Sequence, residues 1–357
     1  MRLVAVGDLL LTAGPRGDAC DRDPKEIFAG VADVLGAGDV VLGNLECTLP
    51  GSGGTIDTEP RSISTPQLVR QIASAGFNVV SLANNHMFDC LQEGFRRLRD
   101  LLDEMGVAYF GAGDDLEQAA GPAFMESCGL RLAFLGAADH RSGTRPFAAP
   151  GRPGVAPLDI DRLAGQVREL AGQVDHVIVS PHWGEERFMI PSPEQIDQAR
   201  ELIDAGASMV IGHHPHVIQG MELCQGRPIA YSLGNFVATD VPYEDGDMIR
   251  WNRTERTGCV LTASLTGEAV TDVRQLPTYD DGMTIRLDES GLGLRRIARA
   301  NRAVRNGVTP VRYRREHRWV KTIKPILAHL RWSQLRQIRP SQVKKAFSLF
   351  RSSRSAK

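Results

Sequence analysis

A chain of 357 residues that is 42% hydrophobic, 24% charged and 6% aromatic has ordinary globular composition, enough for one large domain with an appendage or for two modest domains. These figures exclude a disordered chain, a collagen-like repeat and a disulfide-dense miniprotein. The formal net charge of −1 conceals an asymmetry: residues 294–357 hold 19 of the 42 Lys and Arg beside a single acid, Glu316, so a tail of +18 follows a body of −19.

In chain order, apolar runs at residues 3–6, 40–42, 79–82, 132–135, 177–179, 209–211 and 229–233 are rich in β-branched residues and too short for core helices. They predict buried strands. Stretches at 24–35, 66–75, 91–105, 158–171 and 193–205 predict helices between them. The last opens Ser192-Pro193-Glu194, a capping residue before proline at the first helical position, and closes at Gly206. Such alternation means an α/β fold. Gly-rich segments at 50–54 and 143–157 read as surface loops. The strand signal fades after Thr278, which predicts a domain over 1–290 and a basic, helical tail over 291–357.

No apolar run approaches the roughly 20 residues that span a bilayer, and residues 1–8 do not read as a secretory leader. The expectation is a cytoplasmic protein. Cys20, Cys47, Cys90, Cys128, Cys224 and Cys259 form no CxxC pair, so they read as small hydrophobes in a reducing compartment.

The chemistry sits where the strands end. The first runs into Gly7-Asp8, the second into Asn44-Leu45-Glu46, and the third into Asn84-Asn85-His86. Two later runs lead to His182-Trp183-Gly184 and His213-His214-Pro215-His216. In α/β folds the loops at the carboxyl ends of strands converge on one edge, where sites are assembled. Two carboxylates, an amide and several imidazoles make a mixed nitrogen and oxygen donor set that suits Zn²⁺, Mn²⁺ or Fe²⁺ better than Ca²⁺. His214 and His216, stiffened by Pro215, either grip one ion or face two neighbouring ones. Singly, each motif has a plainer reading: Asp8 as a helix cap, Asn84-Asn85-His86 as a turn, His182 as a packed histidine. Jointly, in this order and all at strand ends, they point to a metal site.

Gly7-Asp8, Asn44-Leu45-Glu46, Asn84-Asn85-His86 with Asp89, His182-Trp183-Gly184, His214-Pro215-His216-Val217 and Tyr231-Ser232-Leu233-Gly234-Asn235-Phe236 together resemble the CapA family. These are poly-γ-glutamate capsule biosynthesis proteins, a branch of the calcineurin-like metallophosphatase superfamily. The resemblance covers residues 1–270. It implies a four-layer αββα sandwich, where strand alternation alone would suit a TIM barrel nearly as well. It also implies a dinuclear site for divalent transition metal (Mn, Fe or Zn). Asp8 and His216 would hold one ion, Glu46 would bridge, and Asn85, His182 and His214 would complete the second. His86 would be the general acid or substrate-polarising group, with Asp89 orienting its imidazole. Asn44, Trp183 and Asn235 would line the substrate pocket, and His213 occupies a variable position outside the ligand set. The superfamily's first motif is Asp-x-His, and Asp8-Leu9-Leu10 lacks its histidine.

The resemblance implies a metal-dependent hydrolase of phosphoesterase type, linked to biosynthesis of poly-γ-glutamate or a related anionic polymer or γ-glutamyl product. Polymer synthase or ligase subunits are the expected partners. The alternative is a non-catalytic metal-binding assembly subunit of a membrane polymer synthase. The basic tail, with Trp319 and Trp332 among its cations, suits an anionic membrane surface or a polyanion, with nucleic acid as the less favoured partner. A tail docked on the acidic body is the plain alternative.

Overall fold

The computed structural model describes residues 1–14 and 23–323 and divides into two compact units, Met1–Pro310 and Val311–Lys357. The first unit is built on two sheets. One has eight strands, with Ile285–Leu287, Val270–Asp280, Thr257–Leu265, Arg2–Leu10, Val40–Leu45, Val79–Ser81 and Ala108–Phe110 in spatial order, and Asn235–Ala238 pairing with the far half of Arg2–Leu10. The other has six, in the order Met221–Cys224, Arg227–Ala230, Met209–Ile211, His176–His182, Leu130–Ala138 and Ala123–Ser127.

Side-chain alternation along the strands explains the layering. Leu3, Ala5, Val40 and Leu42 share one core with Leu132, Phe134, Ile178 and Ile211 of the other sheet. The intervening Val4, Val6 and Val41 face a second core with Leu68, Val69 and Ile72 of the helix Pro66–Ser74, and with Phe95, Leu98 and Leu102 of the helix Leu91–Met105. Central strands covered on both faces read as continuous apolar runs, as the sequence does. The helices Ile160–Leu170 and Pro193–Ala205 bury Leu163, Val167, Ile196 and Leu202 and complete the four-layer sandwich. Ser192 caps the second of these in a full capping box with Gln195, and Gly206 ends it at φ 120°.

Three expectations change. The helix foreseen over 24–35 reduces to a turn, a 3-10 segment Ala29–Val31 and the short helix Ala32–Gly36. The Ile27 carbonyl there accepts from the Ile285 amide at 2.8 Å instead of serving a helix. The loop at 143–157 contains a short strand, Gly154–Val155, paired with Ala112–Gly113. The boundary near 290 moves to Pro310, because the helix Leu292–Arg305 docks Ile297 and Ala300 in the inter-sheet core. Asn301 fastens that helix to Gln275 at 2.7 Å, and Arg296 donates to the Arg253 carbonyl at 2.9 Å.

The second unit, by itself, begins within the basic helix Pro310–Arg318, none of whose residues is buried. The tail residues from 324 on, Trp332 among them, lie outside the described residues. Among the described residues no helix is long and apolar enough to cross a membrane.

Candidate metal centre

Parallel pairing brings the predicted strand ends together. Asp8 lies beside Asn44 on one side and Asn235 on the other, and Asn44 lies beside Ser81, just ahead of Asn84-Asn85-His86. From the second sheet, His182 ends its strand, and His213 bridges to it. Close approach requires glycine at position 7. A Cβ there would lie 1.8 Å from the Gly234 carbonyl oxygen, which accepts from the Asp8 amide at 2.9 Å.

Asp8 and Glu46 are wholly buried. The Asn44 amide donates to Asp8 Oδ1 at 2.9 Å and to Glu46 Oε2 at 3.2 Å, while its own oxygen accepts from Asn84 at 3.2 Å. His182 Nε2 lies 2.8 Å from Asn85 Oδ1 and 3.7 Å from Glu46 Oε1. His216 Nδ1 lies 2.9 Å from Asn235 Oδ1 and 3.3 Å from Asp8 Oδ2, with Nε2 3.8 Å from Glu46 Oε1. His214 and His216 both take positive φ, 96° and 56°. Strain of this kind, about 1–3 kcal/mol per residue, persists only where surrounding structure enforces it.

Two groups of donor atoms result, Glu46 with His182 and His214, and Asp8 with Glu46 and His216, each with its atoms within 4.8 Å of one another. Glu46 belongs to both, the arrangement of a bridging carboxylate. The donor set is nitrogen and oxygen without thiolate, which suits Zn²⁺, Mn²⁺ or Fe²⁺. Glu46 Oε1 and His214 Nδ1, both able to ligate, are buried without a hydrogen-bond partner. Each such orphan costs about 1–3 kcal/mol, so the residues fit a centre that divalent ions complete.

Electrostatics divide the same atoms. Burial raises the Asp8 carboxyl, yet His213 and His216 outweigh it and hold it well below the usual carboxylate range. Burial and the Asp8 charge push Glu46 up to about 8. Burial opposes charge on His216 as well, but Glu46 and Asp8 push it up to about 10. His182 and His214 go the other way: burial and neighbouring imidazoles hold His182 well below the usual range and His214 at about 4.

His86 stands apart. Its Nδ1 lies 2.7 Å from Asp89 Oδ2, and that oxygen also accepts from the Ser62 amide at 2.7 Å. The His86 side chain is 12% exposed against 1% for His182 and 5% for His216, and its Nδ1 is committed to Asp89, which leaves Nε2 for a ligand. Burial opposes its charge, but Asp89 and Glu46 more than offset this and raise its pKa.

Three expected pocket residues have other work. Trp183 is fully buried, donates its indole N–H to the Tyr231 carbonyl at 3.0 Å and stacks on that ring, so it packs the core. Asn44 and Asn235 are buried too, and they orient ligand side chains instead of facing a pocket. Sequence reasoning left His213 outside the ligand set; neither donor group includes it, and it is buried with Nδ1 3.3 Å from Asp8 Oδ1. It missed Trp251, whose ring centroid lies 5.1 Å from that of His216, and Glu186. Burial raises the Glu186 carboxyl, but His216 and His214 outweigh that and lower it. Neither Trp251 nor Glu186 belongs to a strand-end motif, so no sequence signal marked them.

The family model described as bacterial capsule synthesis protein PGA_cap matches residues 2–240. The "Capsule biosynthesis protein CapA" of Bacillus anthracis is 30% identical over 268 residues, 73% of this chain and 63% of that protein. The "PGA biosynthesis protein CapA" of Bacillus subtilis is 31% identical over 258 residues, 71% of this chain and 65% of that one. A "Probable polyglutamine synthesis accessory protein" of Mycobacterium tuberculosis is 34% identical over 56% of each chain. The chain thus spans a little under two thirds of the length of the two Bacillus relatives.

Proposed function

This chain belongs to the bacterial capsule synthesis protein family, and on that premise we propose that it is a metal-dependent hydrolase of phosphoesterase type, serving synthesis of an anionic polymer such as poly-γ-glutamate or a related γ-glutamyl product. The observation that carries this reading is the pair of donor groups sharing Glu46, with the more open His86–Asp89 pair beside them. Asp8, Glu46 and His216 would hold one ion, and Glu46, Asn85, His182 and His214 the other. Divalent ions held there would supply Lewis-acid activation of water and neutralise charge on a phosphoryl group.

The chain's own residues do the rest. Asn44 keeps both carboxylates facing inward by donating to each. Asn235 accepts the Nδ1 proton of His216, which leaves Nε2 with its lone pair for a ligand. Asp89 holds His86 Nδ1, so that Nε2 carries a proton toward a leaving group. Buried surroundings exclude bulk water and strengthen each of these contacts.

One relative's name, an accessory protein of polymer synthesis, favours a second reading, a metal-binding assembly subunit without turnover. A polymer synthase or ligase would be the partner in either case. We assign the basic segment from residue 310 on to an anionic membrane surface or polyanion, with the protein working at the cytoplasmic face. Metal analysis of the purified protein with turnover of a chromogenic phosphodiester tests the proposal. His86→Ala should keep its metal and lose turnover by about 10²–10⁴. Metal-loaded wild type without turnover on any phosphoester or γ-glutamyl amide would favour the assembly role.

A further inference from the structure

His213 is 1% exposed, and its ring nitrogens make no well-formed hydrogen bond beyond a long approach of Nδ1 to Asp8. Its backbone is pinned, with the amide donating to the Pro181 carbonyl at 3.0 Å and the carbonyl accepting from the Trp183 amide at 3.1 Å. The ring is therefore placed by the strand His176–His182, not by contacts of its own. The polar atom it meets is Asp8 Oδ1, 3.3 Å from Nδ1. That oxygen already accepts from Asn44 at 2.9 Å. The other, Oδ2, accepts from the His214 amide at 3.4 Å and lies 3.3 Å from His216 Nδ1.

The geometry points to His213 as a positioning residue of the metal centre: its Nδ1 and the Asn44 amide both face Asp8 Oδ1, and together they fix the turn of the carboxylate that an ion shared with His216 would meet. This rests on the metal-centre reading above. A neutral imidazole has one donor and one acceptor nitrogen, and placing the proton on the atom that faces a carboxylate is the tautomer with a partner in reach. His213 is not itself a ligand in this arrangement, since the donor groups within reach of one ion include Asp8, Glu46 and His216 but not His213. Partners that orient ligating groups are typically worth about 10–100-fold in metal affinity.

The test is calorimetric titration of metal-free full-length protein with Mn²⁺ or Zn²⁺. His213→Leu removes the donor. It should weaken one of two equivalents by about 10–100-fold and leave the other unchanged. His213→Asn, which keeps an N–H near the Nδ1 position, should restore affinity to within a few-fold of wild type. Wild-type affinity in His213→Leu, or equal loss in both variants, overturns the inference, since a space-filling ring would not be rescued by asparagine. If His213→Leu does not fold, ¹⁵N-histidine NMR of the wild type decides. An exchange-protected Nδ1 proton on His213 supports the assignment, and an Nε2–H tautomer overturns it. Wild type that takes up no metal refutes the metal-centre reading itself, a result distinct from either.

Discussion

The two halves of the centre share Glu46 but hold opposite protonation. On the Asp8 side, carboxylates crowd an imidazole, and His216 is pushed up to about 10. On the other side, imidazoles crowd one another, and His214 falls to about 4. One fold edge thus offers two imidazoles, His182 and His214, already stripped of protons near neutral pH, beside Glu46 and His216, which must release theirs before they ligate. Burial alone does not set the direction of a shift. Neighbouring charges reverse its effect at Asp8 and His216, while at Glu46, His182 and His214 burial leads and the nearest charges act with it.

The sharpest break in this comparison removes the shared member. Glu46→Ala takes a donor from both groups, so bound metal should fall from as many as two equivalents to near zero by elemental analysis, with the fold retained by circular dichroism. Loss of a single equivalent would show that Glu46 serves one half alone. A smaller effect isolates the Asp8 side. Asn235→Leu frees His216 Nδ1 from its 2.9 Å partner and should weaken one equivalent by about 10–100-fold while sparing the other.

Much of this centre was legible in the sequence, for a physical reason. Strand ends are marked by the change from β-branched runs to Gly, Asn and His, and parallel pairing makes those ends neighbours. Asp8, Glu46, His86, His182, His214 and His216 were found that way. Side-chain direction was not legible. The family resemblance put Asn44 and Asn235 in the pocket, and nothing in composition says whether an amide faces a ligand or a substrate. In an extended chain His213 would point away from its neighbours, but the positive φ of His214 and His216 breaks that alternation. The same limit applies to the fold. The arginines of Leu292–Arg305 hid the apolar stripe of Ile297, Ala300 and Val304, so a docked helix read as tail. At 24–35 helical propensity lost to the pairing of Ile27 with the edge strand.

The smallest effect follows from proton linkage in the metal-free protein. Glu46 binds its proton more tightly folded than unfolded, since its pKa rises from 4.5 to about 8. The stabilisation is therefore fully present below pH 4.5 and is lost as pH climbs through 8. His216, raised from 6.5 to about 10, contributes likewise below 6.5 and loses that contribution toward 10. His214, lowered to about 4, acts in the opposite sense and loses stability only as pH falls below 6.5. Between pH 6.5 and 8 the folded state thus holds protons within the Glu46–His216 pair that the unfolded chain has released. Each such proton lowers unfolding free energy by at most about 1.4 kcal/mol per pH unit. Urea unfolding of metal-free protein should therefore show stability falling across this window, and Glu46→Gln, which carries no titrating proton there and removes the charge that most raises His216, should flatten the slope by more than half. Saturating metal should reverse it, because binding displaces these same protons and strengthens as pH rises. A flat profile in the metal-free wild type would mean that Glu46 and His216 titrate alike in both states, and the two halves of the centre would then not differ in protonation.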